Sequence, residues 1–221
     1  MFRKVKITAI ICICPFLIFF VVDWLFPLPV ERLSPEQSTR IFDMKEQPLR
    51  FFLGDNQQWH FKVSIDKISN DFLQSLIISE DKHFYEHFGI NPFSIVRAAW
   101  GNLNSGRIIS GASTISMQLA RLMDPSSRTI GNKIKEAFRA VQLELKYSKE
   151  EILEYYINIA PFGRNFVGLD SASYFFFGKN ASQLTISESA LLISLLKSPN
   201  KHDPIKFPKI ASEARQLVLK R

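Results

Sequence analysis

From about Asn70 onward the apolar residues return every three or four positions, and the strand-like alternation of the preceding stretch stops. Phe72, Leu73, Leu76 and Ile77 predict a helix whose last turn carries Glu80, with part of that face toward other protein. Ile134, Phe138, Val141 and Leu145 form the apolar stripe of a second helix. Ser148-Lys-Glu-Glu151 has the form of a capping box and predicts a third, with Ile152, Tyr155, Tyr156 and Ile159 along one side. Breaks are expected at residues 89–92, 101–111, 124–127, 161–168, 178–180 and 199–208, where Gly, Pro, Ser and Asn gather. The polar, glycine-containing stretch 102–110 predicts a mobile loop. The body of the chain, residues 67–221, therefore reads as mainly α.

Ahead of that body, residues 38–43, 49–53 and 59–65 are β-branched or aromatic runs separated by turn residues, which predicts a small β-meander within a linking region at 28–66. The first residues read differently again. Arg3, Lys4 and Lys6 precede an apolar run that reaches Phe26, interrupted by Asp23. A bilayer is crossed by roughly 20 helical residues, so residues 7–27 are expected to form a transmembrane signal-anchor, with 1–6 as a cytoplasmic tail and the body outside. A cleaved signal peptide is the rival, but Pro27-Leu-Pro-Val offers no small-residue cleavage site. Cys12 and Cys14 both lie in the apolar run, so the exported part holds no cysteine and its stability rests on its core. With 221 residues, 46% of them hydrophobic, the chain can hold an anchor and one buried domain. The net charge of +7 is scattered along the chain without a nucleic-acid motif, which suits anionic lipid headgroups and phosphorylated substrates and excludes nucleic acid as a partner.

Candidate chemistry begins at Glu80. A carboxylate in the last turn of a partly buried helix feels the negative end of the helix dipole and partial desolvation, an environment suited to a general base near neutral pH. A solvated acid at a helix end is the bland alternative. Three further constellations carry polar groups at helical spacing. Ser113 is a candidate N-cap, after which Thr114, Gln118 and Arg121 share one face and offer hydroxyl, amide and guanidinium groups beside a helix N-terminus. Lys133 and Glu136 are i, i+3 neighbours, in isolation a surface ion pair worth a few tenths of a kcal/mol. His87, among Phe84, Tyr85 and Phe88, is read as a structural residue that orients the acidic pair Glu80-Asp81. With four histidines and no paired ligand motif, a protein-caged zinc is not expected.

Five blocks fall in one order: Glu80-Asp81-x-x-Phe84-x-x-His87-x-Gly89; Gly111-Ala-Ser113-Thr114-Ile-Ser-Met-Gln118-Leu-Ala-Arg121; Lys133-Ile-Lys-Glu136; Lys149 through Asn158; and Glu188 through Lys197-Ser-Pro199. In this the chain resembles the peptidoglycan glycosyltransferases of glycosyltransferase family 51, closest to the transglycosylase domain of C-type class A penicillin-binding proteins. The resemblance implies a lysozyme-like helical domain that polymerises lipid II into glycan strands at the outer face of the cytoplasmic (inner) membrane, with inversion and release of undecaprenyl pyrophosphate. It implies Glu80 as the base and Glu136 as the second catalytic glutamate, with Asp81, Ser113, Thr114, Gln118, Arg121 and Lys133 on the substrate. Phe84, His87, Gly89, Lys149 and Asn158 are expected to be structural near the site. A divalent ion, Mg²⁺ or Mn²⁺, would be held largely through the substrate pyrophosphate and an acid such as Glu136; no organic cofactor is implied. Asn132 and Leu122 depart from the family pattern, which has a basic residue and an asparagine there.

The implied partners are lipid II, the growing glycan chain, the membrane and a separate transpeptidase or cell-wall synthesis complex, because no transpeptidase domain is expected in this chain. Ser79-Glu-Asp-Lys82 and Ser194-Leu-Leu-Lys197 have the spacing of penicillin-reactive serines but lack the motifs that accompany them. The Phe-rich stretches 84–93 and 174–177 are candidates for a membrane-facing patch, and core packing explains them equally well. Two other classes of function compete. A lysozyme-like glycan hydrolase would release soluble fragments, and a catalytically inactive truncated relative would bind lipid or partner proteins without turnover.

Overall fold

The structure is a computed structural model that describes residues 17, 19–45, 48–105, 112–127 and 129–221. Among the described residues eight α-helices make up the body: α1 (Asn70–Glu80), α2 (Pro92–Ser105), α3 (Ile115–Met123), α4 (Ile130–Lys146), α5 (Lys149–Ile159), α6 (Leu169–Phe177), α7 (Ile186–Lys197) and α8 (Pro208–Leu219). The fold is mainly helical, as the periodicity requires. Polar side chains start most of these helices. Ser69, Thr114, Thr129, Ser148 and Thr185 each accept a backbone N–H of the first turn, and Ser148 and Thr185 do so within full capping boxes. Such caps contribute about 1 kcal/mol each.

The core lies where α1, α3, α5 and α7 meet. Phe72, Leu76, Phe84, Ile115, Leu119, Ile152 and Leu192 are all fully buried there. The short α3 is the central element: six of its nine residues are buried, and it packs on both α4 and α5. Each large side chain removed from water at these positions stabilises the fold by about 1.5–3 kcal/mol.

Three expectations are corrected. The β-meander does not form. Strands β1 (Thr39–Phe42) and β2 (Pro48–Phe52) make an antiparallel hairpin, but β3 (Trp59–His60) pairs in parallel with the distant β4 (Phe166–Val167). The helical body captures the chain after β3. Phe61 N–H donates to Ser171 Oγ at 2.7 Å, and Val63 N–H to Asn158 Oδ1 at 2.9 Å. The second correction is α2, which runs through the expected break at Gly101 to Ser105. One glycine costs a helix only about 1 kcal/mol, and the rest of the expected loop, 106–110, lies outside the described residues. The third concerns α4. Its buried residues are Glu136, Ala140, Gln142 and Leu143, whereas Ile134 and Leu145 of the expected apolar stripe are 67% and 56% exposed. The small Ala140 allows Gly89, at φ +76°, to pack so closely that a Cβ there would lie 2.8 Å from the Ala140 carbonyl.

At the amino-terminal side, residues 19–25 are helical, and Leu17, Phe20, Val21, Trp24, Leu25 and Phe26 are each more than half exposed. Among the described residues no helix is long and apolar enough to cross a membrane. The expected tail at 1–6 and most of the expected anchor at 7–27 lie outside the described residues. Of the two Phe-rich stretches, Phe84 is fully buried, Phe88 and Phe93 are exposed, and Phe175 stacks on Phe166 at 4.0 Å.

Candidate active site

The C-terminal ends of α1 and α7, the first turn of α2 and the N-terminal half of α3 enclose a cleft of about 700 Å³. Glu80 and Asp81 line it together with Lys82, Asn91, Arg97, Ser113, Thr114, Gln118, Arg121, Lys197 and Arg221. Five of these side chains are cationic against two acids.

Glu80 ends α1, as its helix predicted, and its side chain is only 10% exposed. Gln118 Nε2 donates to its Oε2 at 3.1 Å, and Tyr156 donates its hydroxyl to Gln118 Oε1 at 3.1 Å. The tyrosine thus fixes which end of the amide faces the carboxylate. Burial, reinforced by the negative charge of Glu80 and opposed by Arg121, raises the Tyr156 pKa, so this phenol remains a donor throughout the ordinary pH range. Glu80 Oε1 is shielded from water and has no hydrogen-bond partner among the described residues, where Lys197 Nζ lies 3.7 Å away. Burial lowers the Lys197 pKa; Glu80 opposes that shift and Arg221 adds to it. Arg221 in turn donates to the Ser79 carbonyl at 2.6 Å, at the carbonyl-rich end of α1 where a cation is favoured.

Asp81 lines the same cleft, but its Oδ2 is occupied. It accepts Ile115 N–H at 3.0 Å and faces His87 Nε2 at 2.9 Å. Asp81 thereby ties the end of α1 to the start of α3, a structural task. Thr114, not Ser113, caps α3, accepting Met117 N–H at 3.1 Å and donating to the Gly89 carbonyl at 2.6 Å. With its hydroxyl engaged on both sides and its side chain buried, Thr114 offers a ligand little. Ser113 is half-buried and accepts from Lys133 Nζ at 2.5 Å. Arg121 makes no hydrogen bond or ion pair among the described residues.

Lys133 and Glu136 form an ion pair at 2.7 Å, but they do not line the cleft and reach its rim only through Ser113. Glu136 is 9% exposed with one oxygen on Lys133. Among the described residues no three His, Cys, Asp or Glu side chains converge on a point that could hold a metal ion. This donor set does not fit a resident divalent ion; one would have to bring most of its ligands with a phosphorylated substrate.

The remaining expected residues support the turn beneath Glu80. Lys149 Nζ donates to the His87 carbonyl and to Glu144, both at 2.7 Å, and lies over the Phe84 ring. His87 packs edge-on against Phe84. Asn158 is farther off, holding Val63 through both its N–H and its carbonyl. Sequence reasoning assigned no site role to Lys197, Arg221, Arg97 or Tyr156. A single lysine closing the apolar α7 before Ser198-Pro199 was a visible signal for Lys197; Tyr156 was hidden inside an apolar stripe.

Comparison with known proteins adds a lineage to this geometry. The family model described as transglycosylase matches residues 44–221. Penicillin-binding protein 1C of Escherichia coli K12 is 43% identical over 210 residues, covering 94% of this chain and 27% of that protein. Penicillin-binding protein 1A of Aquifex aeolicus is 40% identical over 196 residues, covering 88% of this chain and 27% of that protein. The chain thus spans about a quarter of the length of these curated relatives. A crystal structure of penicillin-binding protein 1A from Haemophilus influenzae aligns over 85% of this chain and 18% of that one, at 19% identity and a TM-score of 0.44.

Proposed function

The chain belongs to the transglycosylase family, and from that premise we propose that it is a peptidoglycan glycosyltransferase which polymerises lipid II during cell wall synthesis. The observation that carries this reading is Glu80: a shielded carboxylate, oriented by Gln118 and Tyr156, with one oxygen unpartnered, in a cleft rich in cations.

On this reading the Glu80 carboxylate accepts the proton of the acceptor sugar's 4-hydroxyl as that hydroxyl oxygen attacks the donor's anomeric carbon. The new C1–O4 bond forms on the face opposite the breaking C1–O–pyrophosphate bond, so the configuration inverts. Undecaprenyl pyrophosphate leaves with increased negative charge, for which Arg121 and Lys197 in the cleft, with Lys133 at its rim through Ser113, supply countercharge. Glu136 acts through Lys133, holding the ammonium at the rim. Gln118 orients the base, since both ends of its amide are engaged within the protein. A Mg²⁺ or Mn²⁺ ion, where required, arrives on the pyrophosphate; none of the steps above runs through it.

A lysozyme-like topology, anchoring by residues 7–27 in the cytoplasmic membrane and recruitment by a separate transpeptidase or cell-wall complex belong to the same proposal. The exposed apolar residues at 17–26 and along α2 support the membrane part. A glycan hydrolase has no use for the cations Arg97, Arg121, Lys197 and Arg221, whereas a pyrophosphate donor does.

The test is polymerisation of fluorescent lipid II by the detergent-solubilised chain with Mg²⁺, products being resolved by length. The wild type should give a ladder, and Glu80→Gln should lose about 10²–10⁴-fold in rate while still binding lipid II. Soluble muropeptides in place of polymer would favour the hydrolase. Binding without any turnover by the wild type would favour an inactive relative.

A further inference from the structure

The amino-terminal helix is fastened to the domain by a polar clamp on α4. Arg139 Nη1 donates to the carbonyls of Phe26 and Pro27 at 2.6 and 2.7 Å, and to Gln142 Oε1 at 2.8 Å. Gln142 Nε2 donates to Asp23 Oδ1 at 2.5 Å and to the Phe26 carbonyl at 3.0 Å. Phe19 packs its ring on Phe138 of the same helix at 5.2 Å. Farther along, Arg32 donates to the Met123 carbonyl at 2.8 Å, and Leu33 is buried.

These contacts answer a specific physical need. The last carbonyls of a helix have no partner within it, and beside a bilayer they find little water to replace one. Arg139 and Gln142 supply the missing donors from another element, with a cation at the negative end of the helix dipole. Gln142 is only 3% exposed, so a polar side chain has been committed to this task at the cost of desolvation.

The clamp also shares its helix with the site. Lys133 and Glu136 sit one to two turns earlier on α4, and the Ala140 carbonyl, between Arg139 and Gln142, is the surface against which Gly89 closes the turn behind Asp81 and His87. We infer that Arg139 and Gln142 are positioning residues that hold the cleft at a fixed height and tilt over the bilayer, so that it meets a lipid-anchored substrate. This rests on the proposed glycosyltransferase activity and membrane anchoring.

The experiment uses the full chain in liposomes of phosphatidylglycerol and phosphatidylethanolamine. Two substrates are compared, lipid II embedded in the same bilayer and a water-soluble short-chain lipid II analogue. Arg139→Ala/Gln142→Ala should lower kcat/KM about tenfold or more on the embedded substrate and less than about twofold on the soluble one. Asp23→Ala, outside the domain's core, should shift the ratio the same way by a smaller factor. Equal losses on both substrates by the double variant, with no change in Asp23→Ala, would overturn the clamp. An unchanged ratio in both variants would do so as well. If the wild type turns over neither substrate, the activity reading has failed, and the clamp is then judged by depth-dependent quenching of a fluorophore on α2. The double variant should broaden that depth distribution, and an unchanged distribution would overturn the inference.

Discussion

Glu80 and Asp81 are neighbours in sequence, share one helix end and line one cleft, yet the protein treats them oppositely. Asp81 Oδ2 is committed to Ile115 N–H and to His87 within 3.0 Å. Among the described residues Glu80 receives a single hydrogen bond, from an amide that Tyr156 holds in place, and keeps Oε1 unpartnered beside Lys197. A buried acceptor left open costs free energy that folding alone does not explain. The saturated acid therefore reads as a structural tie between α1 and α3, and the open one as the reactive group.

The comparison is broken most directly at Glu80. Glu80→Gln is expected to cut polymerisation by about 10²–10⁴-fold while leaving the thermal transition within a few degrees; a substantial residual rate would move the base elsewhere. Asp81→Ala should show the reverse pattern. It strands the Ile115 N–H and a His87 nitrogen in the interior, and denaturant unfolding should register a loss of about 1–3 kcal/mol. Any fall in rate should then track the folded fraction. If Asp81→Ala instead kills turnover in a protein of wild-type stability, the division of labour proposed for the two acids is wrong.

Tyr156→Phe sharpens the contrast on the Glu80 side. It removes the hydroxyl that orients Gln118, and should cost about 1 kcal/mol in stability with a several-fold fall in kcat that Glu80→Gln masks in the double variant. The smallest expected effect is in the pH profile. Because the folded pKa of Lys197 is lowered, the folded protein releases this proton at lower pH than the unfolded chain does. The burden of burying the charged lysine is present in full below that depressed value and is relieved as pH rises through it. Stability should thus gain from Lys197 on the alkaline side while activity, which uses its charge, declines there. Lys197→Arg should move the alkaline limb of kcat to higher pH, and an unmoved limb would separate Lys197 from the reaction.

The α4 helix shows where reading by pattern fails. Periodicity placed Ile134 and Leu145 on the apolar stripe, but both are exposed, and the buried residues include Glu136 and Gln142. Hydrophobic periodicity marks an apolar face, and which of its residues leave water depends on what packs against the helix. The Ser113 cap failed for a smaller reason: two adjacent hydroxyl residues both satisfy the local rule, and only the approach of the Gly89 carbonyl decides for Thr114.

By itself the sequence determined the helical body, its end at Glu80, the capping box at Ser148 and the breaks at Gly89 and Gly178, because these depend on side-chain spacing and backbone chemistry within a few residues. It also determined the family, since ordered blocks survive as text. Only the tertiary structure decided that β3 leaves the hairpin for β4, that Asp81 is spent and Glu80 open, and that Lys197, Arg221 and Tyr156 join the cleft. Those outcomes depend on which distant groups meet, and hydrogen bonds and ion pairs act over a few ångströms of space, whatever their separation along the chain.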